Sequence, residues 1–374
     1  MKCGIIDAFE VNYMESHRDS IAYINVSHLL ENIQYIYKTV KKPIMAIVKA
    51  NAYGHGIIDI SKKIEPLDMI EMFGVATLEE ALLLRKAGIK KQILVLGVTK
   101  LTDLDLAIKF DIRITVYSEN FVCELLKYQW EGNLYLHLKL DTGMNRIGIK
   151  SKDYFIKALK LLENHPNIVV EGVFTHYGAA DETNDSYKQQ LKAFIEVADK
   201  LNIKYKHAAN SAGALYHDES ELSLTNLVRC GIAMYGIEPN GVVESPLKQV
   251  MSLYSKVVMV KKIKKGEKVG YGFTYKANKD QYIATVPLGY GDGFIRNNQG
   301  RKVYINGKYY PIIGRICMDQ LMVEVDETIM EDADVEIFGE HIHLNNMAKE
   351  LNTIAYEIIC LISRRIPRVY VDKK

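Results

Sequence analysis

The sequence lacks the features that mark secreted, membrane-spanning and metal-binding proteins. No apolar run approaches the roughly 18 residues that a spanning helix needs, and the first residues carry no apolar signal-peptide core. The five cysteines are odd in number and scattered, without a C-x-x-C pair, which disfavours disulfides and zinc sites. We therefore expect a soluble, cytoplasmic protein with no membrane partner and no bound metal.

The sequence also lacks an excess of charge of either sign. Its 374 residues are 25% charged and carry a formal net charge of +2, so nothing indicates a nucleic-acid partner or an anionic membrane surface. Repeats and low-complexity linkers are absent as well. The length, with 48% hydrophobic residues, is typical of a globular protein of roughly two domains. The absence of a linker indicates that these domains are rigidly joined.

What the sequence does contain is a series of eight short apolar runs, mostly separated by helical patterns. This alternation predicts a parallel (β/α)8 TIM-like barrel over about 200 residues. An earlier apolar run, Ile21–Val26, is surplus to the barrel and is assigned to the other domain. The eight predicted strands are Ile44–Val48, Phe73–Ala76, Ile93–Leu96, Ile114–Tyr117, Leu134–Leu140, Ile168–Thr175, Lys204–Ala209 and Val228–Tyr235.

From about Met251 the pattern changes to short β candidates separated by turn residues. Asn306-Gly307 is a strong signal for a hairpin, and Asn345–Leu351 is the single convincing helix. This region predicts a mainly antiparallel β domain. The predicted division is an N-terminal extension and strand that pack with the β domain (residues 1–26), the barrel (27–243) and the β domain itself (244–374).

The stretch from Ile44 to Gly56 carries the first candidate catalytic residue. Its apolar run ends at Lys49, and the turn that follows, with two glycines, leads into a helix. In a parallel barrel, active sites are built at the carboxyl ends of the strands. A lysine held partly dry there loses its charge more easily, and its free amine can form a Schiff base. For a single lysine, the alternative is an ion pair that caps the strand end.

Three further strand ends carry polar side chains. Arg146 follows the fifth barrel strand and could hold an anion bidentately, or pair with Asp141 at the surface. His176 ends the sixth strand, where a lone histidine is more often a structural hydrogen bonder than a base. Ser211 follows the seventh strand at a strand-to-helix turn, where its hydroxyl and backbone could donate to a phosphate.

The segments VKANAYGHG and KLDTGMNRIG resemble two motifs of the alanine racemase family, a pyridoxal-phosphate-dependent (PLP) family of fold type III. The resemblance implies that Lys49 binds the cofactor covalently and that Tyr53 contacts its phosphate. It implies that Arg146 contacts the cofactor ring hydroxyl and the substrate carboxylate. Lys139 matches a lysine that is often carbamylated in the family, and a carbamate would turn a buried cation into an anion that orients Arg146.

The segment NLVRCGIAMYG resembles the eighth-strand motif of the same family. By this resemblance, Ser211 and the backbone amides of Gly231 and Ile232 hold the phosphate, and Arg229 faces the pyridine nitrogen. A permanent cation there disfavours protonation of that nitrogen, so a carbanion is delocalised less into the ring. This suits a racemase, which must return a proton to one carbon and avoid transamination.

The β-domain motifs GYG, PLGY, GRICMD and YE match the C-terminal part of the family in order. Tyr271 falls on the second catalytic base, facing the α-proton of the L isomer, while Lys49 faces that of the D isomer. Met318 falls on a backbone donor to the substrate carboxylate. Tyr290 and Tyr356 fall on tyrosines that line the substrate entrance, and Tyr356 also touches the phosphate. Hydrogen-bonding roles around the cofactor and the catalytic tyrosine are implied for His176, His207, Asn210 and Asp319.

The resemblance covers about residue 20 to the end, with mild departures. Tyr23 stands where the family usually has Glu, and Tyr177-Gly178 replaces the usual Phe-Ala. The implied function is PLP-dependent interconversion of L- and D-alanine, which supplies D-alanine for peptidoglycan, in a homodimer with shared active sites. A serine or broad-specificity racemase of the same fold remains an alternative. A non-catalytic PLP-binding barrel would lack the β domain, and a decarboxylase would usually have an acid in place of Arg229.

Overall fold

The computed structural model describes residues 17–182 and 186–372, which form two compact units. Ile33–Met234 form one unit, and the described residues up to Asn32 together with those from Tyr235 onward form the other. Residues 1–16 of the N-terminal extension that the sequence predicts before the Ile21–Val26 strand lie outside the described residues. No helix in the described ranges is both long enough and apolar enough to cross a membrane.

The first unit is the predicted barrel. Among the described residues, β1 (Ile21–Asn25), which belongs to the other unit, and α1 (Val26–Val40) precede eight parallel strands. These are β2 (Ile44–Ile47), β3 (Ile70–Val75), β4 (Gln92–Val95), β5 (Ile112–Val116), β6 (Leu134–Lys139), β7 (Ile168–Phe174), β8 (Tyr205–His207) and β9 (Val228–Cys230). Their spatial order is β8-β7-β6-β5-β4-β3-β2-β9, so the eight predicted strands are confirmed.

Two backbone hydrogen bonds nearly close the barrel between its end strands. Arg229 N donates to Ala209 O at 3.0 Å, and Asn226 N donates to Lys206 O at 3.0 Å. The strands are almost wholly buried, as expected where helices cover a parallel sheet. The helices are α2 (Lys49–Tyr53), α3 (Ile57–Ile64), α4 (Leu78–Lys86), α5 (Leu104–Lys109), α6 (Glu119–Leu125), α7 (Lys152–Glu163), α8 (Ser186–Ala198), α9 (Ser211–Tyr216) and α10 (Glu219–Ser223).

The second unit is the predicted, mainly antiparallel β domain. Its nine-stranded sheet has the order β11-β14-β17-β16-β15-β18-β10-β1-β19, in which only the β1–β19 pair is parallel. The strands after β1 are β10 (Met251–Lys256), β11 (Met259–Ile263), β14 (Gln281–Val286), β15 (Lys302–Ile305), β16 (Lys308–Ile313), β17 (Leu321–Val325), β18 (Asp334–Phe338) and β19 (Arg368–Val371), with the small pair β12 (Lys268–Val269) and β13 (Tyr275–Lys276) apart.

The predicted hairpin between β15 and β16 is confirmed, with positive φ at both Asn306 (45°) and Gly307 (86°). Such a turn needs residues that tolerate the left-handed region, which explains the Asn-Gly pair. The expectation of a single helix in this unit was wrong. α11 (Leu344–Leu351) is followed by α12 (Ala355–Leu361), whose seven residues are too short for a clear helical periodicity.

From the sequence, Ser27 is expected to cap the helix that follows the Ile21–Val26 run, but the structure shows a different N-terminal cap for α1. The helix begins at Val26, and the Asn25 side chain accepts a hydrogen bond from His28 N at 3.0 Å. Asparagine is as good a capping residue as serine, so Asn25 and Ser27, two positions apart, were equally plausible caps from the sequence alone.

Candidate active site

Lys49 begins a turn of left-handed helix at the carboxyl end of β2. Ala50, Asn51, Ala52 and Tyr53 have φ of 52°, 56°, 53° and 51°. For an L-residue other than glycine, this conformation costs about 1–2 kcal/mol each. The sequence predicted a turn here but not four successive left-handed residues. Strain of this kind is typical of functional sites, where the surrounding structure holds it in place.

The carboxylate of Glu80 holds this turn from the neighbouring strand end. It accepts hydrogen bonds from Ala50 N at 2.6 Å and from Ala76 N at 2.8 Å. The sequence motif Thr77-Leu-Glu-Glu80 predicts a capping box, and Thr77 does accept from Glu80 N at 3.3 Å. In a full capping box the Glu80 carboxylate would accept from the backbone N–H of Thr77. Here it accepts from Ala76 N and Ala50 N instead, and so contacts the lysine turn.

The predicted phosphate-binding residues lie together at the ends of β2, β8 and β9. Ser211 Oγ accepts from Gly231 N at 3.0 Å and from Ala233 N at 3.4 Å. A Cβ at Gly231 would lie 2.5 Å from Tyr53 Oη and 3.0 Å from its Cζ. Only glycine therefore allows the Tyr53 hydroxyl to approach this backbone. Asn210 caps α9 by accepting from Gly213 N at 3.0 Å, and Ile232 is buried.

Arg229 is buried beneath this group and is surrounded by acceptors that carry no charge. Its two terminal nitrogens donate to the carbonyls of Thr175, His207 and Ala208 at 2.8–2.9 Å. They also donate to His207 Nδ1 at 2.9 Å and to His176 Nδ1 at 3.2 Å. Arg229 Nε makes no hydrogen bond to any residue in the described ranges. Burial lowers the pKa of Arg229 to about 10, which leaves the group cationic at neutral pH.

These contacts determine the tautomers of the nearby histidines. A guanidinium can only donate, so His176 Nδ1 and His207 Nδ1 are acceptors and their protons are on Nε2. His207 Nε2 then donates to His137 Nδ1 at 2.9 Å, which leaves the His137 proton on Nε2. The sequence interpretation placed His176 and His207 in this network but did not include His137, whose ring fills space that a Cβ at Gly172 would occupy.

All three histidines are neutral in the folded protein. Burial, with the nearby Arg113 cation, lowers the pKa of His137 to about 3, and burial with Arg229 lowers the pKa values of His176 and His207 well below the ordinary range. Below pH 6.5 the unfolded chain therefore binds protons that the folded chain does not. Folding stability contributed by these rings is lost as the pH falls below that value.

Positive charge accumulates at this end of the barrel, where Lys139 lies near Arg146, Arg229 and Lys49. None of Lys139, Arg146 and Arg229 forms a salt bridge within residues 17–182 and 186–372. Burial, then the nearby charges of Arg146, Arg229 and Lys49, lowers the pKa of Lys139 to about 8, while Asp141 opposes this shift. Lys139 is only 4% exposed. Such an excess of positive charge favours an anionic ligand.

The loop that carries Arg146 is organised by Asp141. Its carboxylate accepts from Gly143 N at 3.0 Å and from Asn145 N at 3.1 Å. A Cβ at Gly148 would lie 2.9 Å from Asp141 N, so the return of the loop requires glycine. Asp141 therefore folds the loop and does not form the surface ion pair with Arg146 that was one alternative.

Tyr271 lies in the second unit, on an exposed short turn (Tyr271–Phe273). Gly270 and Gly272 flank it with φ of 73° and 70°, and a Cβ at Gly272 would lie 2.6 Å from the Arg315 guanidinium. Tyr271 is 72% exposed and Phe273 is 64% exposed. The turn thus presents two aromatic rings that its own unit does not cover.

Tyr290 and Met318 are held side by side in the same unit. Tyr290 N donates to Cys317 O at 3.1 Å, and Gly291 N donates to Met318 O at 2.8 Å. Met318 is 53% exposed, and its own N–H makes no hydrogen bond to the part of the chain that the structure describes. That amide is therefore available as a donor.

Asp319 and Tyr356 have different surroundings. Asp319 accepts from Arg365 Nη2 at 2.7 Å, and the same arginine lies 3.5 Å from the buried Asp292. Asp292 is the residue that accepts from Gly289 N at 3.1 Å and so shapes the Tyr290 turn. Tyr356 is half-buried on α12. The structure thus connects Asp319 with Tyr290 through Arg365, a link that no sequence motif indicated.

Comparison with known proteins covers nearly the whole chain. Residues 24–239 match the family model described as alanine racemase, N-terminal domain, and residues 250–370 match the C-terminal domain. An alanine racemase of Anoxybacillus flavithermus is 40% identical over 374 residues, 96% of each chain. A solved alanine racemase from E. faecalis is 36% identical with a TM-score of 0.89, covering 95% of this chain and 98% of that one.

A solved histidine racemase from Leuconostoc mesenteroides is also similar. It is 29% identical with a TM-score of 0.86, and the match covers 96% of this chain and all of that one (100%). Both domains, in order and almost end to end, therefore correspond to one family. The chain belongs to the alanine racemase family.

Proposed function

We propose that this protein interconverts L- and D-alanine with pyridoxal phosphate and supplies D-alanine for peptidoglycan. The observation that carries the proposal is the group of buried or half-buried cations at the barrel mouth, Lys49, Lys139 and Arg229, with Arg146 beside them. A cofactor with a phosphate and a substrate with a carboxylate together balance that charge. Relatives named alanine racemase, at 40% identity, support alanine as the substrate.

The residues present fit this cofactor. Lys49 supplies the amine, Tyr53 and Ser211 supply hydroxyls, and the close approach of Tyr53 Oη to Gly231 leaves a backbone edge with no side chain to block it. Arg229 Nε has no hydrogen-bond partner in the described ranges and is available to a ring nitrogen. When bound at Lys49, pyridoxal phosphate would supply the electron-withdrawing system that makes the α-proton of an amino acid acidic.

The surrounding residues then set how strongly that proton is acidified and where it moves. Arg229 remains cationic and disfavours a second positive charge next to it, which limits side reactions such as transamination. His176 accepts from Arg229 at Nδ1 and so presents a donor at Nε2. That donor would favour the phenolate form of Tyr271, which acts as a base only when deprotonated.

Two bases remove and return the proton on opposite faces of the substrate. We assign Lys49 to the D isomer and Tyr271 to the L isomer. Arg146 and the Met318 amide hold the substrate carboxylate, and Tyr290 and Tyr356 restrict the entrance to small side chains.

A carbamate on Lys139 would replace a buried cation by an anion beside Arg146. The pKa of about 8 at Lys139 supports this, because carbamylation needs a neutral amine.

The active sites are shared in a homodimer, with Tyr271, Tyr290 and Met318 supplied by the partner chain. The exposure of Tyr271, Phe273 and Met318 on one unit supports this assignment, because aromatic and methionine side chains are enriched at interfaces between proteins. Co-purified Lys49→Ala and Tyr271→Phe chains test it. Random mixing gives hybrid dimers with one intact site, so activity should return to roughly a quarter of wild type. No recovery after proven subunit exchange contradicts shared sites.

A broader racemase is the second candidate, favoured by the similarity to a histidine racemase. Polarimetry with L-alanine, L-serine, L-histidine and L-lysine, each at equal concentration, separates the two. We expect alanine to be preferred in kcat/KM. The purified protein should be yellow, and borohydride should fix the cofactor to the Lys49 peptide alone. A label on another lysine, or racemisation of no amino acid, overturns the proposal.

A further inference from the structure

A buried glutamine on α8 contacts the ends of two neighbouring barrel strands. Gln190 is 7% exposed and lies on the face of α8 that also buries Leu191 and Phe194. Its Oε1 accepts from Gly178 N at 2.8 Å, and its Nε2 donates to His176 O at 3.1 Å. A long side chain with full hydrogen-bonding capacity is costly to bury unless its groups are paired, so this position is specified by its partners.

The orientation of the amide is fixed by these two contacts. Gly178 offers a donor and His176 offers an acceptor, and a flipped amide would place like groups against each other. Gln190 thus pairs with the backbone on both sides of Tyr177 as a neighbouring β-strand would. It continues the hydrogen-bonding of β7 beyond Phe174, where the regular ladder ends.

The same amide also contacts the loop that carries Arg146. Gln190 Nε2 lies 3.4 Å from Thr142 Oγ1, and Thr142 Oγ1 lies 2.7 Å from Thr175 Oγ1. A Cβ at Gly143 would lie 3.7 Å from Gln190 Cγ, so the loop packs on the glutamine stem. One side chain therefore holds the loop after β6 and the strand end of β7.

We propose that Gln190 is a positioning residue that keeps His176 and the Arg146 loop in register with each other. Gln190 acts on His176 through its carbonyl and on Arg146 through Thr142. Arg229 fixes the other side of His176, through Nδ1 and the Thr175 carbonyl. His176 is thus held between a guanidinium and a side-chain amide. The effect on catalysis rests on the proposed racemase function, whereas the effect on the backbone does not.

The matched test is Gln190→Met against Gln189→Met. Both replace glutamine by an apolar side chain of similar length on the same helix, but Gln189 is exposed and makes no hydrogen bond to either loop within the residues that the structure describes. Displacing a positioned group by about an ångström can lower a rate by roughly a hundred-fold. We expect Gln190→Met to lower kcat/KM for L-alanine roughly ten- to hundred-fold, with a lower kcat and a higher KM, and Gln189→Met to match wild type.

The backbone is measured separately by hydrogen–deuterium exchange of the peptide that contains residues 176–178. Exchange at Gly178 should be faster in Gln190→Met and unchanged in Gln189→Met. If Gln190→Met does not fold, Gln190→Glu is used. It keeps the acceptor for Gly178 but loses the donor to His176 O, so kcat/KM should fall while Gly178 stays protected.

Four results have defined meanings. Wild-type kcat, KM and exchange in a folded Gln190→Met overturn the proposal, and so does wild-type catalysis in Gln190→Glu. An unchanged KM with kcat reduced only in proportion to the folded fraction shows a purely structural role and also overturns it. If the wild-type protein racemises no amino acid, the proposed function fails, while faster exchange at Gly178 still supports the Gln190 contacts.

Discussion

The barrel mouth and the exposed turns of the β unit hold their candidate functional residues in different ways. At the barrel mouth, Lys49, Arg229 and the histidines are held by hydrogen bonds from several strand ends, and the strained turn after Lys49 is tied to Glu80. On the β unit, Tyr271 and Met318 project from turns with little cover of their own. The contrast teaches that one set of residues is positioned by burial within its unit, and the other by backbone turns that leave the side chains exposed.

The largest expected effect concerns Tyr271, the most exposed residue of the comparison. Tyr271→Phe should lower racemisation in both directions by roughly 10²–10⁴-fold, because each direction needs both bases. In deuterated water the variant should still exchange the α-proton of D-alanine through Lys49, and that of L-alanine far more slowly. Equal exchange of both isomers would assign the L-face base to another group. Tyr309→Phe, another exposed tyrosine of the same unit, serves as the control.

The burial of Lys139 should appear in the pH dependence of stability. Its folded pKa of about 8 lies below the unfolded value of 10.5, so stability should rise as the pH increases from 8 to 10.5, by about 3 kcal/mol in total. Urea unfolding of wild type against Lys139→Met in carbon-dioxide-free buffer measures this. In bicarbonate, a carbamate would remove the buried cation, and the rise should disappear. A rise in both buffers, with unmodified intact mass in active protein, rejects the carbamate.

The steric match between Gly231 and Tyr53 should affect cofactor affinity. Gly231→Ala places a methyl group 2.5 Å from Tyr53 Oη, and we expect PLP to bind roughly ten-fold more weakly, or about 1.4 kcal/mol. Fluorescence titration of the apoprotein measures the change. Tyr53→Phe removes the oxygen that clashes. Introducing Tyr53→Phe into the Gly231→Ala variant should therefore weaken PLP binding by a smaller factor than introducing it into the wild-type protein. Strictly additive losses would show that the two residues act independently.

The smallest expected effect tests how the lysine turn is held. Glu80→Gln removes the charge that accepts from Ala50 N and Ala76 N, and should destabilise folding by about 1 kcal/mol. Glu79→Gln changes an exposed neighbour and should stay within about 0.5 kcal/mol of wild type. Thermal unfolding of both variants measures the difference in folding stability. Equal losses of stability in the two variants would mean that the turn holds its conformation without Glu80.

The sequence predicted the architecture well because its signals were local. Alternating apolar runs and helical patterns located all eight barrel strands, and Asn306-Gly307 located a hairpin. The second helix of the β unit was missed because Ala355–Leu361 is short. Its seven residues provide too few turns for a period to appear.

The candidate site was predicted unevenly for a different reason. Motif residues such as Lys49, Arg229 and Tyr271 could be named, whereas Glu80 and Gln190 could not, because their partners are distant in the chain. Glu80 looked like an ordinary capping residue. Gln190 stood at a core position of an amphipathic helix, between Tyr187 and Phe194 in the helical repeat. A polar residue on an apolar helix face was the one available signal.

The left-handed turn after Lys49 has a consequence for protein engineering. Ala50 and Ala52 occupy a conformation that glycine adopts without strain. Elsewhere an alanine-to-glycine change loosens the unfolded chain and costs roughly 0.5–1 kcal/mol, but here the relief of strain offsets that loss. The usual rule that alanine stabilises a fold more than glycine does would therefore not hold at Ala50 and Ala52. Conversely, glycine variants here would keep their stability while giving up the rigidity that directs the lysine.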